Sequence, residues 1–152
     1  MRFWITIVFI LISDQLSKYW VAKEIMLHDS IPILENIFSI TYVLNYGAAF
    51  GVLQGKSWLF LTIAALIVTV LIIIHIKYDL SRWVQYAMGL IVGGTLGNVI
   101  DRWFIGAVRD FFTIGGFPVF NIADMAIVCG GAIVILYIFK NDSMQERQFF
   151  NR

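Results

Sequence analysis

Two aspartates end short polar motifs in an otherwise very apolar part of the chain. Asp110 follows Val108 and Arg109, and Asp124 closes the run Phe120–Asp124. A carboxylate at membrane depth is costly and is usually retained because it has a function. Two carboxylates that share one proton can activate a water molecule and polarise a peptide carbonyl. The two motifs therefore predict an aspartyl dyad.

Further polar residues fall at helical spacing. They are Asp14 and Lys18 at i, i+4; Asn98, Asp101 and Arg102 at i, i+3, i+4; and Asn121, three residues before Asp124. Depths reckoned at ~1.5 Å per helical residue put all of them in the outer half of the membrane. A proton or ion path needs polar groups across the full thickness. The pattern therefore favours a site at one face.

Structural explanations compete with the functional one. Asp14 and Lys18 can form an i,i+4 ion pair that lets a polar turn lie in the membrane, and Asp101 and Arg102 can pair with other groups near the interface. Asp124 can cap a helix N-terminus, where negative charge is favoured. A cap accounts for one aspartate, but not for two at the same face.

Composition identifies the class of protein. The chain has 152 residues, of which 60% are hydrophobic, with a mean hydropathy of +0.83. A soluble domain of this length cannot bury so much apolar surface, so an integral membrane protein with a single domain, residues 1–152, is predicted. The net charge of +1 gives no basic field for nucleic acid. Cys129 is the only cysteine, which excludes an intrachain disulfide.

The apolar runs predict an all-α membrane protein with four transmembrane helices. The spans are placed at about residues 3–22, 58–76, 84–104 and 123–139. Alternating β-branched and aromatic residues, followed by glycines, predict a small extracytoplasmic β-element at about 30–55, after the first helix. Segment 105–121, with Gly106, Gly115 and Pro118, is interpreted as a loop.

Lysine and arginine positions predict the orientation. With both termini in the cytoplasm, the inside segments hold Arg2, Lys77, Arg82, Lys140, Arg147 and Arg152, and the outside segments hold Lys23, Lys56, Arg102 and Arg109. This excess follows the positive-inside rule and puts the candidate site toward the outer face.

Glycines recur every four residues in the third span, at Gly89, Gly93 and Gly97. Such a face lets another helix approach closely. Ala126 and Gly130 of the fourth span are the expected matching face.

Five motifs in order resemble those of lipoprotein signal peptidase, also called signal peptidase II, a bacterial membrane aspartyl peptidase. They are Asp14–Lys18, Asn45–Gly51, Gly93–Arg102, Val108–Phe111 and Phe120–Asp124. The ordered set covers most of the chain and is highly specific. A small departure is Met125, where relatives often have serine; both aspartates are intact.

The resemblance implies roles for these residues. Asp110 and Asp124 are the catalytic dyad. Asn45, Gly47, Asn98, Asp101, Arg102 and Asn121 line or brace the site, and Asp14 and Lys18 support it. The implied substrate is a prolipoprotein whose cysteine carries diacylglycerol, cut just before that cysteine.

The resemblance also implies the setting of the enzyme. It is a multi-pass protein of the bacterial cytoplasmic membrane, in contact with membrane lipid. It is active as a monomer, needs no metal or organic cofactor, and is a target of cyclic peptides of the globomycin type.

Two other classes of function remain open at this point. A small proton-coupled carrier needs charges near the midplane or on both sides, and an inverted repeat is typical; the sequence has neither. A non-catalytic assembly subunit, packed through the glycine face, does not need the two aspartates. Cleavage of a lipidated peptide distinguishes all three classes.

Overall fold

Four helices and three strands make up the structure, a computed structural model that describes residues 1–47 and 54–150, with side chains described as far as residue 140. The helices are α1 (Arg2–Glu24), α2 (Ser57–Lys77), α3 (Arg82–Phe104) and α4 (Ile122–Phe150). All four predicted spans are confirmed as helices. Only α4 runs well past its predicted end at residue 139.

Three of these helices are long and apolar enough to cross a membrane: α1, α2 and the part of α4 from Ile122 to Lys140. Helix α3 is as long as α1 but is not among these three apolar helices. It lies in the middle of the bundle and packs against the other three helices. An apolar cluster of Phe3, Ile7, Met88 and Val92 joins α1 to α3. Helix α3 is therefore the central helix of the bundle.

The glycine face of α3 packs against α1, which corrects the partner expected from the sequence. A Cβ on Gly89 or Gly93 would lie 2.8 Å from Thr6 Cβ or 3.0 Å from Ile10 Cβ, both on α1. The contact with α4 is made by Gly94, whose added Cβ would clash with the carbonyl oxygen of Ala123. Spacing identified a close-packed face, but it could not identify the helix opposite.

Gly130 does contact α3, as expected. A Cβ there would lie 2.6 Å from the Ala87 carbonyl oxygen. Two of the close contacts between α3 and α4 thus involve one glycine from each helix, Gly94 and Gly130. Backbone-to-backbone approach of this kind fixes α4, and the start of α4 carries Asp124.

The strands form one antiparallel sheet in the order β1-β2-β3. Strands β1 (Ser30–Leu34) and β2 (Phe38–Asn45) lie within the predicted β-element, although residues 48–53 of that element are outside the described residues. Asn36, at φ 58°, supplies the left-handed residue of the turn between them.

Strand β3 (Val108–Ile114) was not predicted, because segment 105–121 was interpreted as a loop. The strand pairs with β2, with Asn45 opposite Val108 and Phe38 opposite Ile114. An irregularity between Ile40 and Val43 interrupts this register beside Asp110. Irregularities of this kind bend a strand and redirect its side chains.

All three strands lie at the same end of the helix bundle. The chain enters the sheet from the end of α1, leaves it to start α2, and returns through β3 between the end of α3 and the start of α4. Five chain segments that carry candidate residues, on α1, β2, α3, β3 and α4, therefore converge at this end.

Candidate active site

Asp110 lies on β3 with its side chain almost fully buried. Its Oδ2 accepts a hydrogen bond from Asn45 Nδ2 at 3.0 Å, and its Oδ1 accepts one from Asn121 Nδ2 at 2.6 Å. The donors come from β2 and from the residue before α4. Asp110 is thus held from two sides. It lies on a strand, whereas the sequence predicted a loop at this position.

Asp124 lies in the first turn of α4, where it forms a reciprocal cap with Asn121. Asn121 Oδ1 accepts the backbone N–H of Asp124 at 2.9 Å, and Asp124 Oδ2 accepts the N–H of Asn121 at 3.2 Å. This is the geometry of a capping box. Asp124 Oδ1 remains for a further partner and accepts from Asn98 Nδ2 at 2.8 Å. The predicted cap is therefore present, alongside the contact with Asn98.

Asn98 and Asn121 join the two carboxylates into one network. Asn121 is fully buried and donates to Asp110 and, at 3.1 Å, to Asn98 Oδ1. Asn98 in turn donates to Asp124. Buried networks whose members are all satisfied are rigid, so the two carboxylates are held in a fixed relation.

A charge-balanced cluster lies behind this network. Lys18 is fully buried, and its Nζ lies 2.8 Å from Asp14 Oδ2, 3.3 Å from Asp101 Oδ2 and 2.9 Å from Asn98 Oδ1. Arg109 Nη2 lies 2.6 Å from Asp101 Oδ1. Two cations and two anions therefore compensate each other, as buried charges must. The i,i+4 pair expected of Asp14 and Lys18 is present, and Lys18 also reaches the amide that holds Asp124.

Asp14 performs a second task at the start of α4. Its Oδ1 accepts the backbone N–H of Ala123 at 3.0 Å. The first N–H groups of a helix lack partners within the helix, and a carboxylate is favoured there. A residue of α1 thus fixes the turn that carries Asp124.

Arg102 and Gly47 lie on the open side of the carboxylates. The Arg102 guanidinium lies 4.6 Å from the centre of the Phe60 ring and donates to the Gly47 carbonyl oxygen at 3.1 Å. The Gly47 N–H is accepted by Asn45 Oδ1 at 3.0 Å. These contacts connect α2, α3 and the end of β2 around the two aspartates.

The aspartates open into a cleft of about 350 Å³. Its polar lining consists of Asn45, Gly47, Asn98, Arg102, Asp110 and Asp124, and its apolar lining of Phe60, Val108, Phe117, Pro118, Val119, Phe120 and Val128. An apolar cleft with a few convergent polar groups is typical of a ligand site. Among the side chains that the structure describes, no group of three or more His, Cys, Asp and Glu residues could hold a metal ion.

The environment of Asp110 favours its protonated form near neutral pH. Burial raises the pKa of Asp110 to about 7, and the charge of Asp124 acts in the same direction. The hydrogen bonds from Asn45 and Asn121 and the charge of Lys18 act to lower this pKa. Titration near neutrality is typical of a group that transfers protons at physiological pH.

The structure brings all ten sequence-predicted residues to one end of the bundle, in two layers. The cleft layer holds Asp110, Asp124, Asn45, Gly47, Asn98 and Arg102, and the layer behind holds Asn121, Asp14, Lys18 and Asp101. Two participants were not singled out from the sequence. Gln15 donates to Asp101 and to the Gly97 carbonyl oxygen, and Arg109 pairs with Asp101.

Comparison with known proteins gives a consistent result. The family model described as "Signal peptidase (SPase) II" matches residues 6–140. The lipoprotein signal peptidase of Syntrophomonas wolfei is 43% identical over 147 residues, which cover 97% of this chain and 99% of that protein. The lipoprotein signal peptidase of Halothermothrix orenii is 39% identical over 141 residues, 93% of this chain and 97% of the relative.

A solved structure has the same fold. A protein described as a bacterial membrane enzyme superposes with a TM-score of 0.86 at 36% identity, over 91% of this chain and 88% of that one. A second structure with the same description gives a TM-score of 0.81 at 36% identity, over 90% and 91% of the two chains.

Proposed function

This chain belongs to the signal peptidase II family and removes signal peptides from prolipoproteins, and we propose that it does so as an aspartyl endopeptidase, with Asp110 and Asp124 as its dyad. The observation that carries the proposal is that Asn121 and Asn98 connect the two buried carboxylates at the edge of one cleft. The substrate is a prolipoprotein with a diacylglyceryl-modified cysteine, and the cut falls just before that cysteine.

The proposed reaction uses one proton shared between two carboxyl groups. The ionised carboxylate takes a proton from a water molecule, which attacks the scissile carbonyl carbon. The protonated carboxyl donates a hydrogen bond to the carbonyl oxygen and stabilises the tetrahedral diol. Collapse of the diol, with proton transfer to the leaving amine, breaks the peptide bond.

We assign Asp124 as the base and Asp110 as the acid. The first turn of a helix favours an anion, and Asp124 lies there with an N–H donor at 3.2 Å. Asp110 keeps its proton near neutral pH, because burial and the Asp124 charge raise its pKa to about 7. Burial affects both carboxyl groups, so the position of Asp124 at a helix N-terminus is what distinguishes the two in this assignment.

The proposed setting is the outer half of the bacterial cytoplasmic membrane, in one domain of residues 1–152. Helix α3 is then the fourth span, tolerated because its polar residues are covered by α1 and α4. Both termini are cytoplasmic, and the sheet and the cleft lie at the outer face. The ring of Phe60 and the side chain of Val128 give the cleft an apolar side suited to an acylated substrate.

The remaining roles extend the same proposal. Asn45, Gly47 and Arg102 orient the peptide and the acid, while Asn98 and Asn121 hold the two carboxylates. Asp14, Lys18 and Asp101 support them from behind. The enzyme acts as a monomer, and cyclic peptides of the globomycin type bind in the cleft.

The test is cleavage by the purified protein of a synthetic peptide that carries diacylglycerol on its cysteine. We expect a single product that ends just before that cysteine, and no cleavage of the same peptide without lipid. Asp110→Asn and Asp124→Asn should each lower kcat by at least ~10³-fold, and the double variant should be no worse than either, because the two act as a unit.

Asp79→Asn is the matched control, since Asp79 is exposed at the opposite end of the bundle. It should cleave at the parent rate. Thermal unfolding in detergent should show both dyad variants folded, because asparagine at position 124 still offers an oxygen to the Asn121 N–H. Turnover within tenfold of the parent in either folded dyad variant would refute the aspartyl mechanism.

A further inference from the structure

We infer that Arg109 is a positioning residue, which holds Asp110 in its catalytic place by clamping β3 to α3 through Asp101. The inference rests on the proposed dyad. It concerns a side chain that points away from the cleft and is not among the residues that line it.

Three donors of Arg109 converge on one buried carboxylate. Its backbone N–H lies 2.9 Å and its Nε 3.2 Å from Asp101 Oδ2, and its Nη2 lies 2.6 Å from Oδ1. The Asp101 side chain is completely buried. A guanidinium that grips both oxygens of a carboxylate fixes direction as well as distance. The strand is thereby attached to α3 one residue before Asp110.

The sheet alone holds this part of β3 incompletely. The pairing of β2 with β3 is irregular between Ile40 and Val43, and Val43 is the partner of Asp110. Ladder hydrogen bonds are disrupted at such an irregularity. Arg109 itself pairs with Leu44, on the other side of Asp110 from this irregularity, and its contact with Asp101 adds a second attachment there.

Arg109 also connects the strand to the other elements of the site. Its Nη2 donates to Gln15 Oε1 on α1 at 3.2 Å, and its carbonyl oxygen accepts a long hydrogen bond from Asn121 Nδ2 at 3.4 Å. The same Asn121 nitrogen donates to Asp110 Oδ1. Displacement of Arg109 therefore moves Asp110 relative to Asn121, and through it relative to Asp124.

Kinetics of folded variants test the inference. Arg109→Ala should lower kcat by ~100-fold, the effect of a displacement of ~1 Å in a catalytic group. KM should change less than threefold, because the side chain does not touch the substrate cleft. Arg109→Lys keeps a cation near Asp101 but loses the fork, so kcat should recover to within about tenfold of the parent.

A second variant covers the case in which Arg109→Ala does not fold. Arg109→Gln keeps amide donors without charge, and its kcat should fall between those of the alanine and lysine variants. Arg82→Ala is the control, since exposed Arg82 stacks on Trp83 at the far end of α3, with 5.6 Å between the guanidinium carbon and the ring centre. It should match the parent in kcat and KM.

The outcomes separate this inference from the proposed function. If Arg109→Ala loses thermal stability but its folded fraction keeps the parental kcat, Arg109 is merely structural and the inference is overturned. If the alanine variant does not fold, the same result for Arg109→Gln overturns the inference. A KM effect without a kcat effect would overturn it as well. Full activity of Asp110→Asn would instead refute the dyad, whatever the Arg109 variants do.

Discussion

The carboxyl of Asp124 has a role in the fold and a proposed role in the chemistry. It completes the cap of α4 with one oxygen and contacts Asn98 with the other. The structural interpretation of Asp124 as a cap and the functional interpretation as half of a dyad are therefore compatible. Replacement of such a residue tests both roles together, so a folding measurement must accompany each rate.

The proposed protonation of Asp110 leads to a prediction about the pH dependence of the rate. In the proposed mechanism activity needs this proton, so the rate should fall as pH rises through about 7, the value to which burial and the charge of Asp124 raise the pKa of Asp110. Asn45→Ala removes a hydrogen bond that favours the ionised form. The pKa should then rise further, and the alkaline fall in kcat/KM should move to higher pH.

The comparison must isolate the Asn45 hydrogen bond from other influences on Asp110. The charges that act on it include Asp124 from α4, Lys18 from α1 and Arg102 from α3, and all three are unchanged in this variant. Thr113→Val is the control, because the Thr113 hydroxyl lies on the same strand but donates to Thr41 at 3.0 Å. An alkaline limb that moves to lower pH in Asn45→Ala, or that moves equally in the control, contradicts the acid role of Asp110.

At this scale the sequence predicted which residues meet at the candidate site better than it predicted the residues that support them. Asp110, Asp124 and their asparagines stand out because polar residues are rare in apolar segments. Arg109 does not stand out, because a charged side chain near the membrane surface can be accounted for by contact with water. The partner of Arg109 is Asp101, which lies eight residues earlier in the chain and is buried in α3, and only the structure shows this contact.

Among the elements, β3 determines the position of Asp110, the proposed acid, yet the sequence of β3 does not by itself predict a strand. Its partner β2 lies more than sixty residues earlier, with Val43 opposite Asp110. No tight turn joins the two strands, so no local pattern marks the pair. The helices were predicted well for the opposite reason, since each apolar run carries its own signal.

The contact between α3 and α4 makes a prediction about Gly94. A Cβ there would clash with the Ala123 carbonyl oxygen, one residue before Asp124. Gly94→Ala should therefore push α4 outward, with an overpacking penalty of ~1–3 kcal/mol. A shift of ~1 Å at Asp124 should lower kcat by ~100-fold. Thermal unfolding and peptide cleavage on the same preparation measure both effects.

Gly131→Ala is the matched control for Gly94→Ala. Both glycines lie within helices, but an added Cβ on Gly131 has no atom within 4 Å. The control should gain up to ~1 kcal/mol from helix propensity and keep the parental rate. If Gly94→Ala is as stable and as active as Gly131→Ala, the close approach of the two helices is not what fixes Asp124.

Across the whole molecule, the polar groups of the site lie at one end and the candidate cytoplasmic charges at the other. The sheet, the cleft and the starts of α2 and α4 share the first end. The second end of the bundle is formed by Met1, the turn between α2 and α3, and Lys140. This segregation makes orientation in the membrane a decisive property of the enzyme.

Single cysteines test that orientation. In a Cys129→Ala background, cysteines at Gln54 and at Phe117, which is 62% exposed, should react with impermeant reagents added outside intact cells. Cysteines at Tyr78 and Asp79, in the turn between α2 and α3, should react only after the membrane is opened. Labelling of positions 78 and 79 from outside would place the cleft on the cytoplasmic side and contradict the proposed orientation.

If Asp124 is half of the dyad, as proposed, its reciprocal cap with Asn121 also determines when the enzyme becomes active during its biogenesis. Asp124 lies in α4 and Asn121 directly before it, so both are synthesised after Asp14, Lys18 and Asp101. The nascent chain can pair these earlier charges with one another, but half of the dyad arrives only with α4. A chain caught partway through insertion is therefore an inert intermediate, and proteolytic competence and completed membrane integration coincide.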